Sequence, residues 1–417
     1  MENKIVPVRI TIVTSYYVPE NTSNSKYYEN LANDLADHDT KVTVVCGIPT
    51  RLVIKEITKQ YSMNLVEHIN ENLQIVRTGP KKNEGRSLLV RSLYHIYRSW
   101  CIYKKAKNTE TDIYFVCSTP PFFGIYGAWL SKHTKTIYDL QDIFPDTLVS
   151  SGKANEKSLL VKVFRKIEKY IYKHNTYIRV ISQDMAATLK ARGVPDRKIS
   201  LIYNWVDENE VTYIERQDNP MFDMLQIPRE GFYVCYAGNI GLLQNLSTLI
   251  DAAEILKEKE PQIQFIVIGD GAWKSEMLKQ IHQKHLLNIR VYPMQEAKYV
   301  PYVYNLADIG VVTVTKGVSK GSMPSKTWAI MSASHPVICE TDEGSELENI
   351  IKKNDCGLCI SPGDSEDFTA KVLQLYHSRE MIVNMGNNAR TYVENNITRK
   401  ESTRKILECI MNAKIEE

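Results

Sequence analysis

The 417-residue sequence contains no run approaching the ~18 consecutive apolar residues that a membrane-crossing helix needs. Its first residues, "MENKIVPVRITIVTSYYVPE", lack a signal peptide's apolar region and small-residue cleavage site, so "VRITIVT" is read as a first strand. Neither sign of charge is in excess: a net charge of +3 is too small to imply a nucleic-acid partner. The eight cysteines are scattered, mostly inside strand-like runs such as "IYFVCS", which is how reduced, buried thiols are used. One Cys-x-x-Cys, Cys356 with Cys359, has no second pair or histidine nearby to complete a metal site. No Gly-x-Gly-x-x-Gly follows the first strand of either half, and no Walker loop occurs, which disfavours nicotinamide enzymes and phosphate-loop ATPases.

What is present is an alternation of short β-branched runs with helical patterns, the signature of βα units on parallel sheets. The first half offers "VRITIVT", "KVTVVC", "LQIVRT", "DIYFVCS", "KTIYDL", "YIRVIS" and "KISLIYN". After a charged, Pro-containing stretch around 208–230 the pattern restarts with "FYVCYAG", "IQFIVIG", "IRVYP", "DIGVVTV", "PVICE" and "GLCIS". Leu246, Leu249, Ile250, Ala253 and Leu256 form a helical stripe suited to lie on a sheet. At this length two domains are expected, one over 1–207 and one over 228–395, with a last helix from about 396 to 417 packing back on the first. Open parallel sheets bind ligands at the carboxyl ends of their strands, so the site is expected in the cleft between the two.

Three loops of the second half follow strands and precede helices. "YAGNIGLLQN" places Gly238, Asn239, Ile240 and Gly241 at a sheet's carboxyl edge, and "VIGDGAW" places Gly269, Asp270 and Gly271 likewise. Glycines there let backbone N–H groups approach an anion. The third, "MPSKTWAIMSASHPVI", opens a helix with Ser325, a capping or phosphate-facing hydroxyl, and Lys326, a full positive charge. Each loop alone is ordinary turn chemistry; three in one domain point to a phosphate-bearing ligand.

The order of these motifs resembles that of the retaining GT-B glycosyltransferases of family 4 type that build bacterial surface polysaccharides. The carriers include "TSYYVPE", "YDLQDIFPD", "VISQDMAATLKARGVPDRKISLIYNWVD", "YAGNIGLLQNLSTLIDA", "VIGDGAWKSEMLK", "YNLADIGVVTV" and "GLCISPGD". "LQDIFPD" and "IMSASHPVI" are most similar to the amino-sugar transferases of capsule and O-antigen pathways, the N-acetyl-L-fucosaminyl type among them. The resemblance implies two Rossmann-like domains facing across a cleft, the first binding acceptor and the second a UDP-sugar. It also implies an acceptor saccharide linked to undecaprenyl diphosphate, and neither metal nor cofactor. The base would meet the loop at Met294 and Gln295, and the acceptor side would include Tyr17, Glu20, Asn24, Gln141 and Asp142.

The sequence departs from that family where charge matters. The two family glutamates fall at Gly321 and Ala329, the glycine-loop Arg and Lys at Asn239 and Gln244, and the His of His-Asp at Gln141. Lys326 is therefore expected to neutralise the diphosphate, with Lys316 and Lys320 in reserve, and Asp142 to orient the acceptor. Competing readings are a sugar-nucleotide epimerase of the same fold and a non-catalytic partner.

Two basic helices raise the matter of an anionic membrane surface. In "RSLLVRSLYHIYRSWCIYKK" Leu89, Leu93, Ile96, Trp100 and Tyr103 form one stripe, with Arg91, Arg98 and Lys105 opposite. In "LLVKVFRKIEKYIYK" Leu160, Phe164, Ile167 and Ile171 oppose Lys162, Lys166, Lys169 and Lys173. Such stripes either pack on a sheet or meet lipid; the expectation is that the stripes face the core while the cations attach the protein to the inner face of the cell membrane.

Overall fold

The computed structural model describes residues 7–415 except 21, 39, 52, 82–87, 151 and 153. Its β-branched runs form two sheets. The first comprises β1 (Val8–Val13), β2 (Thr40–Gly47), β3 (Val66–His68), β4 (Leu73–Thr78), β5 (Ile113–Cys117), β6 (Lys135–Leu140), β7 (Tyr177–Val180) and β8 (Ile199–Leu201). Its order is β3-β4-β2-β1-β5-β6-β7-β8, and every pairing is parallel except β3 with β4. The second comprises β9 (Phe232–Asn239), β10 (Ile263–Asp270), β11 (Ile289–Tyr292), β12 (Ile309–Val312), β13 (Val337–Glu340) and β14 (Gly357–Ile360). It runs β11-β10-β9-β12-β13-β14, parallel throughout.

Helices cover both faces, which is why the central strands read as continuous apolar runs: β5 and β12 are buried at every residue. The chain reverses its direction of travel beside β1 in one sheet and beside β9 in the other. These switch points open crevices at the carboxyl edges. Helix starts are fixed locally: Thr22 accepts from the Ser25 amide before the helix Ser23–Ala36, and Ser158 from the Val161 amide before Leu159–His174. The stripe Leu246, Leu249, Ile250, Ala253 and Leu256 is wholly buried in the second core.

The final helix, Arg399–Ile415, lies against Ser23–Ala36, β5 and β6, with Ile406, Ile410 and Ala413 in the first core. Arg399 pairs with Asp34 at 2.5 Å and with Asp207 at 2.9 Å, tying the returning chain to the crossover. Between the carboxyl edges, the Ile143 amide donates to the Gly321 carbonyl (3.1 Å) and the Ser150 hydroxyl to that of Gly317 (3.1 Å). Glu346 receives the Gln183 amide and the Tyr203 hydroxyl, while its own amide donates to Asp184 at 2.7 Å.

The basic helix Leu88–Lys107 is turned otherwise than its pattern suggested. Leu93 (59% exposed), Ile96 (49%) and Trp100 (38%) face outward, whereas Arg98, expected outside, is 1% exposed. Ion pairing overrides the stripe: Arg98 reaches Glu20 at 3.1 Å and donates to the Ser15 carbonyl (2.6 Å) and the Thr50 hydroxyl (2.7 Å). Glycine at 47 makes the space, since a Cβ there would stand 2.2 Å from Arg98 Nε. Tyr103 does pack on the first core; the side chains of Leu89 and Arg91 lie outside the described residues. On Leu159–His174, Ile171 is buried and Phe164 and Ile167 half-buried, but Leu160 is exposed, as are Lys162, Lys166, Lys169 and Lys173.

Candidate active site

The second domain's crevice is built from β9, β10 and the loop before the seven-residue helix Lys326–Ser332. Gly238 and Gly269 are register partners on β9 and β10, as are Asn239 and Asp270. Gly238 sits at φ +140°, which side chains rarely adopt, and a Cβ on Gly269 would lie 1.9 Å from the Gly238 carbonyl oxygen. The strands therefore approach as only glycines permit.

Lys326 fills the space this creates. Its Nζ is buried without a hydrogen-bond partner among the described residues, 3.0 Å from where a Gly238 Cβ would stand and 3.7 Å from the Tyr236 ring centroid. Burial lowers the ammonium to about 7. An aromatic face offers a cation some compensation, far less than water or a carboxylate would. An anion arriving beside Gly238 would supply the missing partner.

The other residues expected to meet the donor are placed more variously. Asn239 and Gln244, standing where cations were expected, bond to each other at 3.2 Å. Ile240 belongs to the core: its amide donates to the Asp270 carbonyl (2.8 Å) and its carbonyl accepts from the Trp273 amide (2.9 Å), so no N–H remains for an anion. Gly241 lies within this turn, and the exposed Asp270 carboxylate accepts from the Gly271 amide at 2.8 Å. Ser325 makes no capping bond; its residue is exposed beside Lys326. Met294 is exposed on the loop after β11, and Gln295 there donates to the Pro293 carbonyl at 2.8 Å. Lys316 and Lys320 are both exposed.

Sequence reasoning missed Glu340, the last residue of β13. Fully buried, it accepts from the Asn245 amide group, the Thr248 hydroxyl (3.4 Å) and the Gly363 amide (2.5 Å), and burial raises its carboxyl to about 7. It binds the glycine loop's end to the turn after β14. The alternation of "PVICE", which puts Glu340 on the same face as Ile338, was the available signal.

In the first domain, Asp142 follows β6 and precedes Ile143, whose amide holds Gly321. The residue is open to solvent, yet protein surrounds it on the cleft floor and raises its carboxyl to about 7. No hydrogen bond or ion pair occupies it among the described residues. Gln141 is fully engaged instead: its side chain donates to Asp139 (2.8 Å) and accepts from Asn204 (2.6 Å), and its amide donates to Ser118 (2.9 Å). Asp139 also pairs with buried Arg179 at 2.6 Å and accepts from Tyr28 at 2.7 Å, completing a rigid polar floor. Tyr17 and Glu20, expected to touch acceptor, are each 1% exposed. Glu20 is consumed by Arg98 and by the Thr50 and Arg51 amides, both at 3.0 Å, so it shapes the cleft from beneath. Asn24 donates to the Thr119 hydroxyl at 3.2 Å, at the start of the first helix.

Two family models match this architecture domain by domain: "Glycosyltransferase Family 4" over residues 25–210 and "Glycosyl transferases group 1" over residues 218–392. The chain belongs to the GT-B glycosyltransferases. It is 22% identical over 361 residues to the "probable glycosyltransferase WbjE" of Pseudomonas aeruginosa, covering 85% of this chain and 86% of that one. It is 23% identical over 281 residues to an Escherichia coli (strain K12) protein named for glycosyl transfer in colanic acid biosynthesis, WcaI, covering 66% and 67%. Among solved structures, Anabaena HepE in complex with UDP-glucose superposes with a TM-score of 0.72 at 15% identity, covering 97% of this chain and 99% of that one. In this glycosyltransferase the crevice beside Lys326 lies in the second domain, the part matched by the group 1 model.

Proposed function

We propose that the protein moves a sugar from a UDP-sugar to a saccharide carried on a lipid diphosphate, with retention at the anomeric carbon, during synthesis of a bacterial surface polysaccharide. The observation that carries this reading is the buried, unpartnered ammonium of Lys326 against Gly238. As the bond from the anomeric carbon to the diphosphate breaks, negative charge grows on the leaving oxygens. A preplaced ammonium in a dry site stabilises that charge more than it stabilises the ground state. The acceptor hydroxyl attacks from the same face, and its proton passes to the departing diphosphate. Asp142 orients that hydroxyl from the first domain, one residue from the contact with Gly321, the position where a family glutamate is absent. The cycle uses no metal and no cofactor.

The relative named for colanic acid supports a surface polysaccharide, and the UDP-glucose of the Anabaena structure supports a UDP-sugar. We assign the transferred sugar to the N-acetylated amino sugars, N-acetyl-L-fucosamine among them, in capsule or O-antigen synthesis. Outward apolar residues support our reading that the protein binds the cytoplasmic face of a membrane. No helix among the described residues is long and apolar enough to cross a membrane. Val90, Leu93, Ile96 and Tyr97 on one helix and Leu159, Leu160 and Val163 on another are all exposed. Both helices run back from the carboxyl edge of the first sheet and flank the helix Phe123–Leu130, so these residues border the cleft. Exposed lysines 162, 166 and 169 accompany them. Calorimetric titration with UDP, GDP and CDP tests the donor reading: UDP should bind tightest, and Lys326→Ala should weaken all three while leaving their order unchanged, because the diphosphate is common to them. Equal affinities for all three in the native protein would contradict it.

A further inference from the structure

The β2 loop carries a cation that the proposed chemistry has not used. Arg51 is exposed, and among the described residues no carboxylate or hydrogen-bond acceptor holds its guanidinium. Yet the residue is placed firmly. Its amide donates to the buried Glu20 carboxylate at 3.0 Å, and its guanidinium lies 5.3 Å from the centroid of the Tyr16 ring. Tyr16 is itself buried, with the Arg98 guanidinium 5.0 Å from its centroid. The preceding residue, Thr50, is bound by the Tyr94 hydroxyl (2.8 Å) and by Arg98 (2.7 Å), both from the helix Leu88–Lys107.

That helix presents Leu93, Ile96 and Tyr97, neighbours of Tyr94 and Arg98, to solvent. A free, oriented guanidinium therefore stands where an apolar surface meets the acceptor side of the cleft. Guanidinium recognises phosphate bidentately, and an apolar rim suits a hydrocarbon chain attached to that phosphate. We infer that Arg51 binds a phosphate of the acceptor's lipid diphosphate, with the chain lying along the exposed face of the Leu88–Lys107 helix. The buried Glu20–Arg98 pair acts as positioning apparatus for this contact, which accounts for an ion pair kept beneath two surface loops. The inference rests on the lipid-linked acceptor proposed above.

Farnesyl diphosphate, which carries the apolar chain and diphosphate without any saccharide, is the probe. Titrations into the full chain are run in saturating UDP, so that the diphosphate cannot enter the donor crevice. Farnesyl diphosphate should bind and farnesol much more weakly. Arg51→Ala should weaken farnesyl diphosphate about tenfold or more, the scale of a lost charge-assisted pair, and leave farnesol unaffected. Arg51→Lys should recover only part of the loss, because a point charge lacks the planar fork. Co-sedimentation with phosphatidylglycerol vesicles should be the same for Arg51→Ala and native protein. The inference is overturned by native-like affinity of Arg51→Ala for farnesyl diphosphate, or by no binding of the probe to the native chain. It is equally overturned if vesicle binding falls with the probe's, for then the guanidinium serves bilayer headgroups. UDP affinity, measured alone, separates these outcomes from failure of the donor reading.

Discussion

Replacing Lys326 by Met removes one ammonium and keeps an apolar stem of similar length over Tyr236. Two effects of opposite sign follow. In the empty site the ammonium is a liability: burial carries it from the ordinary 10.5 to about 7, which at pH 7 costs the folded chain about 4 kcal/mol relative to a solvated lysine. Between those values the folded protein binds fewer protons than the unfolded one, so native stability rises with pH from about 7 to about 10.5. The Met variant should melt higher than the native protein at pH 7 and lose the advantage by pH 10. With donor bound, the ammonium gains its partner, and its loss should weaken UDP tenfold to a hundredfold and slow turnover by about two orders of magnitude. Native UDP binding should also take up a proton above pH 7, and the variant's should not. Differential scanning fluorimetry across pH, with calorimetry in buffers of differing ionisation enthalpy, reads all of this. A Met variant that melts lower at pH 7 and binds UDP like the native protein would refute the reasoning, and Lys316 would be the next position to examine.

Asp142→Asn should lower transfer rate about a hundredfold while leaving UDP affinity unchanged. Because its carboxyl is raised to about 7, the native rate should climb with pH through that value as the group ionises, and the variant's pH profile should lack this limb. Arg98→Met strands the buried Glu20 carboxylate and should cost about 3–5 kcal/mol in urea denaturation, against under 1 kcal/mol for a surface arginine. Replacing Leu93, Ile96 and Tyr97 together by Ser should release the protein from anionic vesicles at low salt, with only a small fall in melting temperature because all three are exposed. Native binding should itself weaken as salt rises.

Periodicity sufficed for most of the architecture. Strands such as "DIYFVCS" and "IQFIVIG" are buried on both faces, and that burial is what enriches them in β-branched residues. It failed on the helix Leu88–Lys107, because Arg98 turns inward for a carboxylate 78 residues earlier and no local pattern encodes that partner. The same blindness put Tyr17 and Glu20 on the cleft wall; motif position locates a loop but not which of its side chains point out of it. Lys326 was legible as a candidate from the cations missing at Asn239 and Gln244, since the proposed diphosphate needs a counter-charge. Its partnerless burial over Tyr236 was not, for it depends on Gly238 and Gly269 closing together across two strands. Glu340 went unnoticed because a single carboxylate ending an apolar strand resembles a loop residue until Asn245, Thr248 and Gly363 converge on it.

The central claim, transfer of a sugar from a UDP-sugar onto a lipid-linked saccharide with retention, is tested most directly by one product analysis. The protein is incubated with a panel of isotopically labelled UDP-sugars and lipid-linked saccharides, and the anomeric coupling of the labelled product is read by NMR. The account predicts label in the lipid fraction for one UDP-linked N-acetylamino sugar, in the same anomeric configuration as the donor, and label appearing about a hundredfold more slowly with Lys326→Ala. An inverted product, or UDP release that ignores the acceptor, would contradict it.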